Sequence, residues 1–342
     1  MPTAWSRAQS TACRIPHSLT PRHRSSGPRN FHGRRIVVVN CQAGQSVAVA
    51  GATGLIGSGL VPRLQEEGYE VRVLTRDAPT ARDKLSRIRG LRFAEPPEWS
   101  AAVAGTAGVI NLAGEPIATR WSPTVKAEVK RSRLQTTNRL VAIMNGLPEA
   151  QRPPAFISAS AVGYYGTSER ATFNEQSGGG TDFLAEVCKE WESAAQRANT
   201  RVVILRNGIV LSKEGGALGR MIPMFSLFAG GPLGSGQQWC SWIHRDDVVG
   251  ILMAALKDEQ WSGVYNATAP SPVRMGQLCS ELGAAMGRPA LLPVPDFAIR
   301  LLLGEGATVV LDGQRVLPLR AQEAGYDFKF SQVGDALRQI MS

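Results

Sequence analysis

Three glycines at three-residue spacing, Gly51, Gly54 and Gly57, follow the short apolar run Ser46-Val47-Ala48-Val49-Ala50. Glycines so placed can serve a phosphate. The first permits a tight turn, the second lets backbone N–H groups approach an anion with no Cβ in the way, and the third lets a helix pack close to a sheet. Thr53, Leu55 and Ile56 lie between them and lend their backbone to the same turn. The second group able to do chemistry is Thr75-Arg76, after Glu70-Val71-Arg72-Val73-Leu74. A guanidinium holds a phosphate monoester through a forked pair of hydrogen bonds, and a hydroxyl can add another. Leu112-Ala113-Gly114 closes a third apolar run, and Ser160 and Arg206 stand at the ends of two more.

These groups need elements to carry them. Ser46–Ala50 reads as a buried parallel strand. Leu60, Val61 and Leu64 then recur at helical spacing until Gly68, and the second strand follows. Strand, glycine turn, helix and strand within about thirty residues form the context a dinucleotide site requires, with the pyrophosphate at the positive end of the helix. An NAD site places an acid at the end of the second strand for the ribose 2′-hydroxyl. Arg76 stands there instead, so the expected cofactor is NADP(H), the alternative being that Arg76 is only a solvated strand-end charge.

The alternation continues. Gly108–Asn111 reads as a strand, Pro123 to Asn145 as a long helix, Ala155–Ser158 as a strand, Phe183 to Ala198 as a helix and Val202–Leu205 as a strand. Strands alternating with helices predict an α/β protein, a Rossmann-type doubly wound parallel sheet, with ligands beyond the carboxyl ends of the strands. After residue 206 the glycine pairs Gly215-Gly216 and Gly230-Gly231 mark loops, and Trp242-Ile243-His244-Arg245-Asp246-Asp247 leads into a helix through Leu256. Residues 45–206 are expected to form the NADP-binding domain, and 207–342 a smaller C-terminal cap lobe that partly completes the sheet. His244, Asp246 and Asp247 are read as a helix start, with aspartate capping the free N–H groups.

Composition narrows the function classes. No apolar run approaches the ~20 residues that a membrane-spanning helix needs. The five cysteines include no CxxC pair, which argues against a disulfide scaffold or a thiolate zinc site. The net charge of +10 suggests a nucleic-acid binder, but residues 1–44 hold seven arginines and no acid. Without those seven, 31 basic residues face 28 acidic ones, and a body at +3 has no strong field for a polyphosphate. Nucleic acid is therefore not an expected partner. The arginine-rich, hydroxyl-bearing, acid-free leader reads as an organelle transit peptide, without fixed structure. Its Ile36-Val37-Val38-Val39-Asn40-Cys41 stretch resembles plastid processing sites, which favours the chloroplast; a mitochondrial presequence is the alternative.

The Gly51-x-x-Gly54-x-x-Gly57 turn, Ser158-Ala159-Ser160 with Tyr165-Gly166, Leu205-Arg206-Asn207-Gly208 and Trp242-Ile243-His244-x-Asp246-Asp247-Val248 together resemble the extended short-chain dehydrogenase/reductase superfamily. Asn111-Leu112-Ala113-Gly114-Glu115-Pro116-Ile117, Ser132-Arg133-Leu134 and Leu311-x-Gly313-Gln314-Arg315-Val316-Leu317-Pro318 are similar to its epimerase/dehydratase-like subgroup, also described as cell-division-inhibitor-like. The resemblance spans about residues 46–341. It implies an NADP-dependent oxidoreductase or epimerase with an unknown small-molecule substrate. For plant members it also implies plastid division at the inner envelope, with division proteins as partners and peripheral contact with that membrane.

The superfamily's chemistry uses a tyrosine as acid and base, a lysine four residues later and a serine that orients the substrate. By that register Lys189 is the lysine and Ser160 the serine, but Ala185 occupies the tyrosine position. Three roles are open to Lys189: ribose binding without standard chemistry, service to another proton donor such as Tyr165, or a plain surface charge. Ser160 is open to strand-end hydrogen bonding as well as catalysis. The subgroup pattern adds Arg133 to the cofactor residues, along with Leu112, Ala113 and Gly114, and Glu128 on the same helix is assigned to the adenosine side.

Overall fold

The structure, a computed structural model, describes residues 44–342. The transit-peptide expectation falls, apart from Gly44, outside the described residues. The sheet is built from β1 (Ser46–Ala50), β2 (Glu70–Leu74), β3 (Arg92–Ala94), β4 (Gly108–Asn111), β5 (Ala155–Ala161), β6 (Arg201–Asn207) and β7 (Gly263–Ala267). Their spatial order is β7-β6-β5-β4-β1-β2-β3, with every pairing parallel. The order reverses between β1 and β4, and a crevice opens at that switch point, outside the carboxyl ends of the strands.

The helices that matter to the site are α1 (Gly57–Glu66), α2 (Pro123–Gly146), α3 (Phe183–Ala195), α4 (Gly216–Ser226), α5 (Arg245–Lys257), α6 (Met275–Met286), α7 (Asp296–Leu303) and α8 (Val333–Met341). The sheet is buried on both faces, and the alternation of β1 sorts the two layers. Val47 and Val49 pack with Leu60 and Leu64 of α1 and Ile251 and Leu252 of α5. Ala48 and Ala50 face the other way, against Leu140 and Met144 of α2. Capping sets the phase of the two helices that border the crevice. Ser122 accepts the N–H of Val125 at the start of α2, with Pro123 in the first turn, and Asp182 accepts that of Ala185 at the start of α3.

A second core lies under the last third of the chain. Leu218, Met221 and Phe225 of α4, Leu278 and Leu282 of α6, and Leu337 and Ile340 of α8 share it with Trp242. The start of α5 differs from the aspartate-capped helix expected. His244 is the cap: its Nδ1 accepts the N–H of Asp246 at 3.0 Å, while Nε2 meets Gln339 Oε1 at 2.9 Å. Asp247 is fully buried and turned away from its own helix, accepting the N–H groups of Lys329 (2.8 Å) and Phe330 (3.0 Å). Asp247 thereby satisfies backbone 82 residues downstream, a pairing invisible to local pattern.

Candidate cofactor and ligand site

The glycine turn is held by geometry that admits no side chain at two positions. Gly51 has φ +80°, and a Cβ there would lie 2.6 Å from the Leu112 carbonyl carbon. A Cβ on Gly57 would lie 2.3 Å from the Gly51 oxygen. Gly54 meets only that same oxygen, at 3.3 Å, so its surroundings are otherwise open. The turn is therefore pressed against the end of β4 on one side and bare on the other. It leads into α1, where Ser58 donates to the Gly54 carbonyl and Gly59 and Leu60 to that of Ile56, which leaves the N–H groups of Leu55, Ile56 and Gly57 without a backbone acceptor among the described residues. This cradle fits a pyrophosphate. Thr53 is exposed at its edge, and Leu55 reaches into the adjoining crevice.

The ends of β2 and β4 meet on the same rim. Arg76 is three-quarters exposed, and its Nη2 lies 3.1 Å from Glu115 Oε1. Thr75 is less available, because its hydroxyl donates to the Asp77 carbonyl and accepts the Asp77 N–H. Glu115 is positioned by two consecutive side chains of α2: Ser132 Oγ accepts its N–H (3.2 Å) and Arg133 Nη2 donates to its carbonyl (3.0 Å). Arg133 also donates to the Val129 carbonyl, lies within 3.1 Å of where a Cβ on Gly114 would stand, and faces the Trp191 ring. Burial pulls the Arg133 guanidinium below the usual arginine range. A Cβ at position 114 would therefore oblige the Arg133 guanidinium to give way by a few tenths of an ångström. Leu112 continues the β4 pairing through its N–H to Ala50, and the Ala113 N–H is held by Asn111 Oδ1. Glu128 sits on the outer side of α2, bonded to Arg131 Nε at 2.8 Å, and does not line the crevice.

Of the three residues read as catalytic, Ser160 and Tyr165 share one buried network and Lys189 stands apart from it. Ser160 is buried and donates to Glu192 Oε1 at 2.6 Å. Glu192 in turn receives a two-pronged ion pair from Arg206, with Nε to Oε1 and Nη2 to Oε2 both 2.8 Å. Arg206 Nη1 donates to the Tyr165 hydroxyl (3.0 Å), which donates to Asn266 Oδ1 (2.8 Å). Burial pulls the Arg206 guanidinium down, but its bonds to Glu192 outweigh that and hold it above the arginine range. Burial likewise raises the Tyr165 phenol. This network ties β5, α3, β6 and β7 together under the crevice, and neither Ser160 nor Tyr165 lines it. Lys189 points outward to Glu186 Oε1 (2.8 Å), its side chain 36% exposed.

The crevice-facing residues of α3 are one step earlier in phase. Leu184 and Cys188, four apart, line it, as does Ala161, the residue after Ser160. One residue is about 100° around a helix, so a shift of one exchanges the crevice face for its neighbour. Burial pushes the Cys188 thiol up to about 11. The crevice has a volume of about 1100 Å³ and extends from Leu55 of the glycine turn to Thr308–Val310. The C-terminal lobe, 207–342, supplies one wall.

A family model described as the NAD dependent epimerase/dehydratase family matches residues 47–267, and one described as a domain of unknown function, DUF1731, matches 294–340. The chain is 52% identical over 324 residues to an Arabidopsis thaliana protein named "Epimerase family protein SDR39U1 homolog, chloroplastic", covering 92% of this chain and 93% of that one. It is 39% identical to the Homo sapiens epimerase family protein SDR39U1, covering 86% and 99%. A crystal structure of human SDR39U1 (isoform 2) with NADPH superposes with TM-score 0.79 at 36% identity, over 87% of this chain and 99% of that one.

Proposed function

The chain belongs to the NAD-dependent epimerase/dehydratase family, and from that premise we propose that it binds NADP(H) and acts in the plastid as an oxidoreductase- or epimerase-like protein on a small molecule in the adjoining crevice. The observation that carries this is the cradle at Gly51 and Gly57, where any Cβ would overlap backbone. The Gly51–Gly57 turn, with Thr53, Leu55 and Ile56, takes the pyrophosphate; Arg76 takes the ribose 2′-phosphate, and the β4 end (Leu112, Ala113, Gly114) with Arg133 borders the bound dinucleotide. When bound, NADPH supplies a hydride. The NADPH in the human SDR39U1 structure supports this choice of cofactor. The acid-free leader and the chloroplastic name of the Arabidopsis relative support plastid delivery.

A second reading, a plastid-division factor that uses the NADP-loaded fold as a non-catalytic scaffold or sensor, draws on one observation. Leu184, Cys188 and Ala161 bring no phenol, ammonium or hydroxyl to the crevice. Fluorescence titration of the full chain with NADPH and NADH, followed by a turnover screen over carbonyl substrates, separates the two. Binding with turnover supports the first reading and binding without turnover the second, while no response to either dinucleotide rejects both.

A further inference from the structure

The crevice beyond the glycine turn joins two kinds of surface. Met221, Met224 and Phe225 of α4, Leu278 of α6, and Val309 and Val310 form an apolar wall. Trp121 and Phe183 meet edge to face at 5.2 Å along another side. A polar part of the lining lies at the loop that carries Asp312, Gly313 and Gln314. Thr167 borders that loop, since the next residue, Ser168, donates its N–H to the Gly313 carbonyl at 2.9 Å. Arg300 of α7 lines the crevice within electrostatic reach of Asp312.

The charged groups of the lining differ in how far they are committed. Lys126 is paired with Glu305. Arg133 donates to the carbonyls of Val129 and Glu115. Asp182 accepts the Ala185 N–H as the cap of α3. Arg220 donates through Nη1 to the Ala118 carbonyl at 2.7 Å. Arg300 is different: it is exposed, and its guanidinium makes no hydrogen bond or ion pair among the described residues. The Gln314 amide and the Thr167 hydroxyl are equally uncommitted among those residues, so donors outnumber acceptors around the loop. Burial raises the Asp312 carboxyl there, while Arg300 lowers it. Four cations against three carboxylates leave the lining one positive charge in excess. An anionic headgroup on an apolar body suits both surfaces. A guanidinium offers a carboxylate a fork of N–H donors, and the apolar body gains by leaving water for the wall.

We propose that this crevice binds an amphipathic monocarboxylate, a medium-chain or aromatic acid, with its carboxylate at Arg300 and its apolar body along the α4 wall. The assignment rests on the NADP(H) reading, because it names the class of small molecule that lies beside the cofactor.

The test uses the full chain with and without NADPH, and the fluorescent fatty acid dansylaminoundecanoic acid as probe. Saturable, blue-shifted emission is the expected result. Laurate should displace the probe at a concentration about tenfold or more below that of dodecanol, which has the same chain and no charge. Arg300→Gln, at an exposed position, should weaken the probe about tenfold and erase the preference for laurate while leaving dodecanol competition unchanged. Val309→Trp, which fills the cleft without altering its charge, should weaken the probe and both competitors. Arg131→Gln and Leu227→Gln each remove an exposed side chain outside the lining and should leave binding unchanged. The proposal is overturned by an absence of saturable binding, by equal competition from laurate and dodecanol, by a preference that survives in Arg300→Gln, or by binding lost in Leu227→Gln but kept in Val309→Trp. NADPH binding is read separately by energy transfer from tryptophan. Its absence, while Arg300→Gln still erases the preference for laurate, rejects the cofactor reading alone. Displacement of the probe by NADPH overturns this proposal and leaves that reading standing.

Discussion

Replacement of Arg76 by alanine isolates the group on which cofactor choice depends. The side chain is three-quarters exposed and its ion pair with Glu115 spans 3.1 Å. An exposed pair of this kind contributes at most about 1 kcal/mol to folding, so the variant should fold with a barely altered melting midpoint. A charge-assisted hydrogen bond to a phosphate is worth about 1.5–3 kcal/mol. After about 1 kcal/mol is deducted for giving up Glu115, the loss on removing the guanidinium is about 0.5–2 kcal/mol, or roughly two- to thirtyfold in Kd. That loss should fall on NADPH and spare NADH, which has no 2′-phosphate to lose. Glu115→Gln tests the same account from the other side. It frees Arg76 from its competitor and should tighten NADPH binding, by up to about fivefold. Isothermal titration of both dinucleotides against the three proteins supplies all six constants. Equal losses for NADPH and NADH in Arg76→Ala, or an unchanged NADPH constant, would refute the assignment of the 2′-phosphate to this residue.

Further outcomes follow from the same geometry. Gly51→Ala forces a Cβ into the Leu112 carbonyl at positive φ; strain alone costs about 1–3 kcal/mol, so urea unfolding should shift to lower concentration and NADPH binding should fall with it. Lys189→Ala should change NADPH affinity less than twofold, because Lys189 sits outside the crevice, whereas Cys188→Trp should abolish binding; the reverse ranking in a fluorescence titration would restore Lys189 as a cofactor ligand. Glu192→Leu strands the buried Arg206 guanidinium and should cost about 3–5 kcal/mol, while the double replacement Glu192→Leu with Arg206→Met should recover part of it in chemical denaturation. Burial lowers the pKa of His244, and its Nδ1 must stay unprotonated to accept the Asp246 N–H. The unfolded chain therefore binds the proton more readily, so this group's contribution to stability is present above about pH 6.5 and is lost as pH falls below it. Unfolding free energies at pH 7.5 and 5.5 should show that slope, and His244→Gln should flatten it.

The first βαβ unit was legible because everything that determines it is local. The apolar run, the glycine spacing, the helical repeat of Leu60, Val61 and Leu64 and the second strand all lie within one short stretch, and the strand, glycine turn, helix and strand stand where that stretch predicted. The α/β alternation was legible for the same reason. The face of α3 was not, since its phase depends on Asp182 as cap and on which side meets the sheet. An offset of one residue hides Leu184 and Cys188 behind Ala185 and Lys189. Ser160, Glu192, Arg206, Tyr165 and Asn266 come from five places in the chain, and no spacing rule links them. Nor could pattern reveal that Asp247 serves Lys329 and Phe330 instead of capping its own helix.

The way α8 closes the second core bears on how the polypeptide comes into being. The segment matched as a family domain in its own right, 294–340, contributes Val333, Ala336, Leu337 and Ile340 to an apolar interior whose remaining buried walls come from earlier in the chain, between Leu211 and Leu282. Cut from the rest, it would keep only the small cluster of Ile299, Ala307 and Leu311, and α8 would lose the walls that bury it. On the ribosome the consequence is a delay: α4 and α6 wait with an uncovered greasy stripe until α8 emerges.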